Sequence, residues 1–416
     1  MGSSKNERDK KRLIDNEELD LPKRKETKIE TKEEKIEREI EKELASRIAE
    51  NASEDKPNKK KRLSVRRFLI IVLIVLIILA PIVVLGIAHF TSKDELKVEI
   101  KEEKKEEEKE EKNEEVVEVP KVKIVNEETT SRPYAIMINN HKEARPLQSG
   151  LQDAYIIYEI IVEGGITRYM ALFLDQNTER IGSVRSARHY FLDYALENDA
   201  IYVHHGNSPQ ALADFGRLGI DRIEVSDSKT GWRDRSLNVA WEHKLFTSIG
   251  KLNSGLGSKR TTRNKDLLLK YSVDSLDLVS VPNREVANKV SINYSNAFTT
   301  SYEYDETEKV YKRFVNGIEH KDYVTGKQYT FKNIITYKVR NYTLNDPENK
   351  GRQGLNNVGS GSGYYISEGY AIPINWSKPS RGAQTKYTLQ DGTELVVNDG
   401  NTFIQIQPEG RALSIS

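Results

Sequence analysis

The chain contains no cysteine. That single absence excludes a disulfide framework, a thiol nucleophile and a lipid-attachment thiol. No His-x-x-x-His ligand pair, Gly-x-Ser-x-Gly elbow or Lys-ending phosphate loop occurs either, so the familiar signatures of zinc hydrolases, serine hydrolases and nucleotide-binding proteins are missing. An excess of one charge is lacking as well: 65 Lys and Arg stand against 64 Asp and Glu. Without a basic stripe carrying interleaved aromatics, nucleic-acid binding is excluded. Tryptophan is scarce, with only Trp232, Trp241 and Trp376. Long apolar runs are scarce too, and Phe68–Ala88 is the one that organises the rest.

This run is about 20 residues long, which at roughly 1.5 Å of helical rise per residue matches a hydrocarbon core of about 30 Å. Lys59, Lys60, Lys61, Arg62, Arg66 and Arg67 precede it and a Glu-rich stretch comes after it, so the basic flank faces the cytoplasm. About 66 polar residues stand before the run, and no small-residue cleavage site lies beyond it. An uncleaved anchor is therefore expected rather than a signal peptide. Pro81 and Gly86 are tolerated in such a helix, whose backbone must satisfy itself by local adjustment. The expected layout is a cytoplasmic tail over residues 1–66, a transmembrane helix over 67–90 and a charged tether over 91–123. The chain reads as a single-pass protein of the cell membrane with its C-terminal domains extracytoplasmic.

The tail alternates Lys, Arg and Glu and cannot bury enough apolar surface to offset chain entropy. Ile29, Ile36, Ile40 and Leu44 have spacings compatible with one helical face, which a partner helix or the membrane surface would stabilise. Between Thr91 and Pro120, 13 acidic residues face 7 basic ones, a net charge of −6. If helical, this tether spans on the order of 50 Å and lifts the C-terminal domains clear of the bilayer.

Beyond Pro120 aromatic and β-branched residues return together. YAIMINN, AYIIYEIIVEG, TRYMALFLDQ and AIYVHHGN read as strands, interleaved with helix-like SARHYFLDYALEN and SPQALADFGRLG. Ser208 is the expected N-cap of the second helix, with Pro209 in its first turn and Gly219 at its end; Ser183 is a candidate cap for the first. From Val290 onward period-two strands dominate, punctuated by turns at Asp391-Gly392 and Asp399-Gly400. The expected class is α+β: a mixed α/β domain over 124–270 and a β-rich domain over 285–416. The glycine-rich GRQGLNNVGSGSGYYISEGYAIPINWS fits neither phosphate-binding fingerprint and reads as a mobile surface loop.

Five of the seven histidines fall between His141 and His243, among arginines and carboxylates at strand ends and loops. Glu159 and Glu163 lie four apart on one expected strand face, a spacing compatible with the paired carboxylates of glycosidases. Each could equally pair with Arg168, Arg185 or Arg188. Arg185 and Arg188 sit where a loop enters a helix, an arrangement suited to an anion. His204 and His205 point to opposite faces, so one of them joins a given site. His141, His205 and Asp153 or Glu163 supply atoms that zinc accepts, but without a spaced ligand pair no metal is expected, and no cofactor. Ser149 and Ser208 read as turn and cap residues rather than nucleophiles. Trp232 and Trp241 flank polar stretches and offer faces for sugars or for the core.

The string INNHKEARPLQSGLQDAYIIYEIIVEGGITRYMALF, with IGSVRSARHYF and VHHGNSP after it, resembles the YerB family of Gram-positive envelope proteins. The ending GSGYYISEGYAIPINWSKPS, DGTEL and GNTFIQI is similar to that family's C-terminal domain of unassigned function. Members are commonly lipoproteins, whereas this chain has an apolar segment in place of the lipidated cysteine. The resemblance implies a cell-envelope role around peptidoglycan and its synthesis, without a settled reaction. The leading expectation is a polar groove of Asn140, His141, Arg145, Glu159, Glu163, Arg168, Arg185, Arg188 and His205 that binds a wall component or a wall-synthesis partner. Glycan cleavage by Glu159 and Glu163, and a non-catalytic scaffold for membrane-bound synthases, remain open alternatives.

Overall fold

The computed structural model describes residues 121–416. The expected tail, transmembrane helix and all but the last three residues of the tether lie outside the described residues. Among the described residues no helix is long and apolar enough to cross a membrane.

Strands β1 (Tyr134–Asn139), β2 (Ile156–Ile161) and β3 (Thr167–Phe173) form where the near-continuous apolar runs were read, and every one of their residues is buried. Such runs suit strands covered on both faces. β3 pairs antiparallel with β1 on one side and β2 on the other. After the short β4 (Ile181–Gly182), β5 (Ile201–His204) and β6 (Arg222–Glu224) extend the sheet in parallel beyond β1. On its far side β2 pairs in parallel with Thr402–Pro408, which pairs in parallel with Asn333–Val339. The antiparallel hairpin of Gly359–Ser367 and Tyr370–Lys378 completes most of an eleven-stranded sheet.

The sequence boundary near 270–285 is thus no boundary in the sheet. Residues 121–416 belong to one compact unit, with a C-terminal strand set directly against β2. A second, six-stranded sheet, led by Lys289–Ser295, Phe298–Asp305 and Val310–Val315, covers one face of the large sheet. Ile157, Tyr169 and Phe173 pack there against Tyr294, Tyr302 and Phe403. The other face carries Tyr158 and Met170 under helices α1 (Phe191–Glu197) and α2 (Pro209–Arg217). With α3 (Ile249–Ser254), these are the three α-helices of the described residues, so the fold is strand-rich.

Ser208 caps α2 as expected, its Oγ accepting the Ala211 N–H at 3.2 Å, with Pro209 at the first helical position and Gly219 at φ +63° beyond the end. α1 departs from expectation. It begins at Phe191 without a side-chain cap, and Ser183 is buried well upstream. The glycine-rich stretch is also corrected: Gly359–Ser367 is a nine-residue strand, not a loop. Its glycines are needed for close approach. A Cβ on Gly361 would stand 2.9 Å from Trp376 Nε1, and one on Gly363 only 2.4 Å from the Thr336 carbonyl oxygen. Gly363→Ala is therefore expected to cost about 2–4 kcal/mol, by backbone displacement rather than lost propensity, whereas Gly382→Ala, with open space around it, stays within about 1 kcal/mol. Urea unfolding of both variants checks this.

Candidate functional site

β1, β2, β5 and β6 all run in the same direction, because β3 lies antiparallel between β1 and β2 and the β1–β5–β6 pairs are parallel. Their carboxyl ends share one edge of the sheet, the edge at which mixed and parallel sheets commonly present ligand-binding side chains. Asn139–His141, Val162–Gly165, His204–Gly206 and Glu224–Val225 all emerge there.

Side-chain alternation divides the nine expected groove residues into two sets. Glu159 and Thr167 face the second sheet and enter a buried network. Glu159, fully buried, accepts from Arg313 Nη2 at 2.8 Å, from the Thr167 hydroxyl at 2.5 Å and from Thr300 Oγ1 at 3.1 and 3.2 Å. Arg313, equally buried, donates to His320 Nδ1 at 2.7 Å, and His320 Nε2–H donates to the Gln148 side-chain oxygen Oε1. Gln148 in turn donates to the Asn139 carbonyl at 2.6 Å, and Asn140 donates to Thr167 Oγ1 at 2.7 Å. Arg145 closes the ring on Asn140 Oδ1 at 2.9 Å. Glu159 therefore ties the two sheets together, Asn140 is buried in the same network, and the half-buried Arg145 is held on Asn140 at its rim.

Arg168, next to Thr167, points to the opposite face and meets the rest. Its Nη1 donates to the Ser186 carbonyl at 2.5 Å. The side chain is more than nine-tenths buried and forms no salt bridge, and its other nitrogens reach the surface without a partner. Burial, with Arg188 next in weight, lowers its pKa to about 9. Arg188 grips Glu163 with both arms, Nε to Oε1 at 2.5 Å and Nη2 to Oε2 at 3.0 Å. Burial would raise the Glu163 pKa, but the bonds and charge of Arg188, with Arg168 nearby, hold it below the usual carboxylate range. Glu163 lies in the Glu163–Gly165 turn beyond β2, so the expected shared strand face with Glu159 does not exist. An ionised, clamped Glu163 is a poor proton donor, and an enclosed Glu159 is out of a substrate's reach.

Arg185 has only a carbonyl partner, Glu242 O at 3.5 Å; burial lowers its pKa, opposed by Glu242 and reinforced by Arg188. His205 donates from Nδ1 to the Val225 carbonyl at 2.8 Å and accepts from Arg233 at Nε2, 3.0 Å away, a neutral imidazole fixed at both nitrogens. His204 turns inward, stacked on Phe215 at 5.0 Å, and burial pushes its pKa down to about 4. Arg233 also bonds Asp227 and the Trp241 carbonyl, and its guanidinium lies 4.7 Å over the Trp241 ring, which is 53% exposed. Sequence reasoning passed over Arg233, although it sits in the Trp-flanked GWRDRS stretch. Of the other tryptophans, Trp232 is half-buried near Phe246, and Trp376 belongs to the core beside Tyr337.

His141 stacks on His243 at 5.0 Å, and together with Glu143 their ligand atoms come within 4.8 Å of one another. Hydrogen bonding sets this trio against a metal. Asn139 Oδ1 accepts the His141 N–H, so Asn139 Nδ2 must donate to His243 Nδ1, leaving the proton on Nε2, the nitrogen that faces Glu143 at 3.6 Å. The other candidate ligands are apart: Asp153 lies before β2 at the opposite edge, bonded to Thr178. Two concavities also lie elsewhere, about 680 Å³ between Gly150–Asp153 and the 322–330 segment, and about 390 Å³ near Tyr134 at the start of β1.

The fold is thus that of a two-part, strand-rich protein with an arginine-rich sheet edge. Residues 121–262 match the family described as "Protein of unknown function (DUF3048) N-terminal domain", and residues 290–404 match its C-terminal domain. The chain belongs to this family, the YerB family. It is similar to "Putative lipoprotein YerB" of Bacillus subtilis (strain 168), 31% identical over 301 residues, which cover 71% of this chain and 87% of that protein. It is also similar to the crystal structure of the YerB protein from Bacillus subtilis, with a TM-score of 0.58 and 28% identity, over 68% of this chain and 94% of that one.

Proposed function

We propose that this is an extracytoplasmic cell-envelope protein, held at the membrane by the Phe68–Ala88 segment, whose arginine cluster binds an anionic component of the wall or of a wall-synthesis partner. The lipoprotein name of its Bacillus relative supports the compartment. One observation carries the binding role: Arg168 is a nearly buried cation without a carboxylate partner, beside the half-buried Arg185, whose side chain reaches only the Glu242 carbonyl. Burying a charge without a counter-charge is unfavourable, and a ligand anion would supply the missing partner. Arg188, already balanced by Glu163, shows how the cluster grips a carboxylate. Glycan cleavage finds less support, since Glu159 is enclosed and Glu163 is clamped by Arg188 and held below the usual carboxylate range.

The test is co-sedimentation of the Val117–Ser416 unit with purified walls that retain their anionic polymers, followed by mass spectrometry of the supernatant. Binding without released fragments is expected, falling at least about tenfold in Arg168→Gln and weakening with salt. Release of glycan fragments would replace this reading with the enzymatic one. Absence of binding would end the wall-component reading and direct attention to membrane protein partners.

A further inference from the structure

We infer that the ligand of the carboxyl-edge cluster is an acidic carbohydrate, a sugar chain bearing carboxylate groups; this deepens the anion-binding reading and rests on it. Three features of different chemistry meet at the edge. The first is the pair of guanidiniums without a salt bridge, nearly buried Arg168 and half-buried Arg185, which offer N–H donors and positive charge. Planar guanidiniums suit carboxylates, and the two-armed grip of Arg188 on Glu163 shows that geometry in place.

The second is an exposed aromatic plate. Trp241 is 53% exposed, an unusual position for the largest side chain of a protein with three tryptophans. It is not a loose surface residue. Its carbonyl accepts from Arg233 at 2.7 Å, the Arg233 guanidinium lies against its ring, and the carbonyl of the next residue, Glu242, accepts from Arg185. The segment that presents the ring is therefore tied to the cationic cluster by two arginines. Indole faces stack against the C–H faces of sugar rings, whereas a simple anion has no use for one.

The third is a set of acceptors among the donors. Glu163 and Glu242 are both held below the usual carboxylate range, Glu163 by Arg188 against burial, and Glu242 first by a backbone hydrogen bond, with the Arg185 charge adding to it. Ionised carboxylates accept from hydroxyl groups and repel dense anionic charge. A polyphosphate chain would meet that repulsion at every unit. A sugar with one carboxylate and several hydroxyls uses donors, acceptors and the aromatic plate together.

Isothermal titration of the Val117–Ser416 unit with four probes tests this: a galacturonic-acid tetramer, neutral maltotetraose, a glutamate tetramer and tetraphosphate. The expected result is tightest binding of the galacturonate tetramer. Trp241→Ala should weaken that binding about tenfold while changing the weaker glutamate affinity by less than about twofold, and Arg168→Gln should weaken both at least about tenfold. The exposure of Trp241 makes its variant safe for folding. Tetraphosphate or glutamate binding as tightly as galacturonate, with no effect of Trp241→Ala, would overturn the carbohydrate assignment and leave the anion site standing. Failure of all three anions to bind would overturn both.

Discussion

Arg313→Met, with Glu159 left in place, is expected to lower the unfolding free energy by about 3–5 kcal/mol. Both partners are fully buried, and their 2.8 Å contact is the only salt bridge of either among the described residues. Removing the guanidinium leaves a carboxylate with hydroxyl donors from Thr167 and Thr300 alone, and it strips His320 Nδ1 of its donor. A buried anion cannot recover by turning to water, so the cost exceeds that of a lost hydrogen bond. The double variant Glu159→Leu/Arg313→Met is expected to be more stable than Arg313→Met alone, because the unpaired charge has gone. Its recovery stays incomplete, since Thr167 and Thr300 then lose their acceptor. Urea unfolding with unchanged slope and a midpoint moved down by at least about 1 M is the measurement. A shift under about 1 kcal/mol for the single variant would show that solvent reaches Glu159 and would restore it as an accessible acid.

That pair also marks where the sequence stops being legible. The strands of the N-terminal part could be read because their apolar runs end in Gly, Pro and Asn, and α2 because Ser208-Pro209 is a local start signal with a local cause. Glu163, Arg168, Arg185, Arg188 and His205 were readable as a cluster for the same reason: polar residues at strand ends have few other places to go. Glu159 and Asn140 instead turn into the buried network, with Arg145 held at its rim. Alternation along β2 and β3 separates the two faces, but which face is covered depends on Arg313, Thr300 and His320, contributed by a sheet far along the chain. No local pattern announces that cover. The glycine strand shows the same limit from the other side: Gly359–Ser367 has poor strand propensity, and it is the closeness of Trp376 and Thr336 that makes a strand of it.

Separating the chain at the sequence boundary is expected to abolish folding of both parts. In a fragment ending near residue 280, β2 would lose its parallel neighbour Thr402–Pro408 along the whole register from Ile156–Thr402 to Ile160–Ile406, baring an apolar edge in the middle of the sheet. Glu159 would lose Arg313. At α1, Glu197, also fully buried, would lose Lys378 Nζ at 2.6 Å and both donors of Thr385, keeping only the Tyr158 hydroxyl. Two stranded buried carboxylates, at about 3–5 kcal/mol each, together cost about 6–10 kcal/mol, comparable to the whole 5–15 kcal/mol by which a typical domain is stable. The complementary fragment would keep Lys378 and Arg313 as buried cations without anions, with Asn333–Val339 and Thr402–Pro408 exposed on the side of β2. Each part alone should give a collapsed NMR amide spectrum and no cooperative thermal transition, while co-expression restores dispersion and a single melt. A dispersed spectrum and cooperative unfolding of the 117–280 fragment alone would show instead that the N-terminal part is self-sufficient and that the shared sheet is an interface between domains.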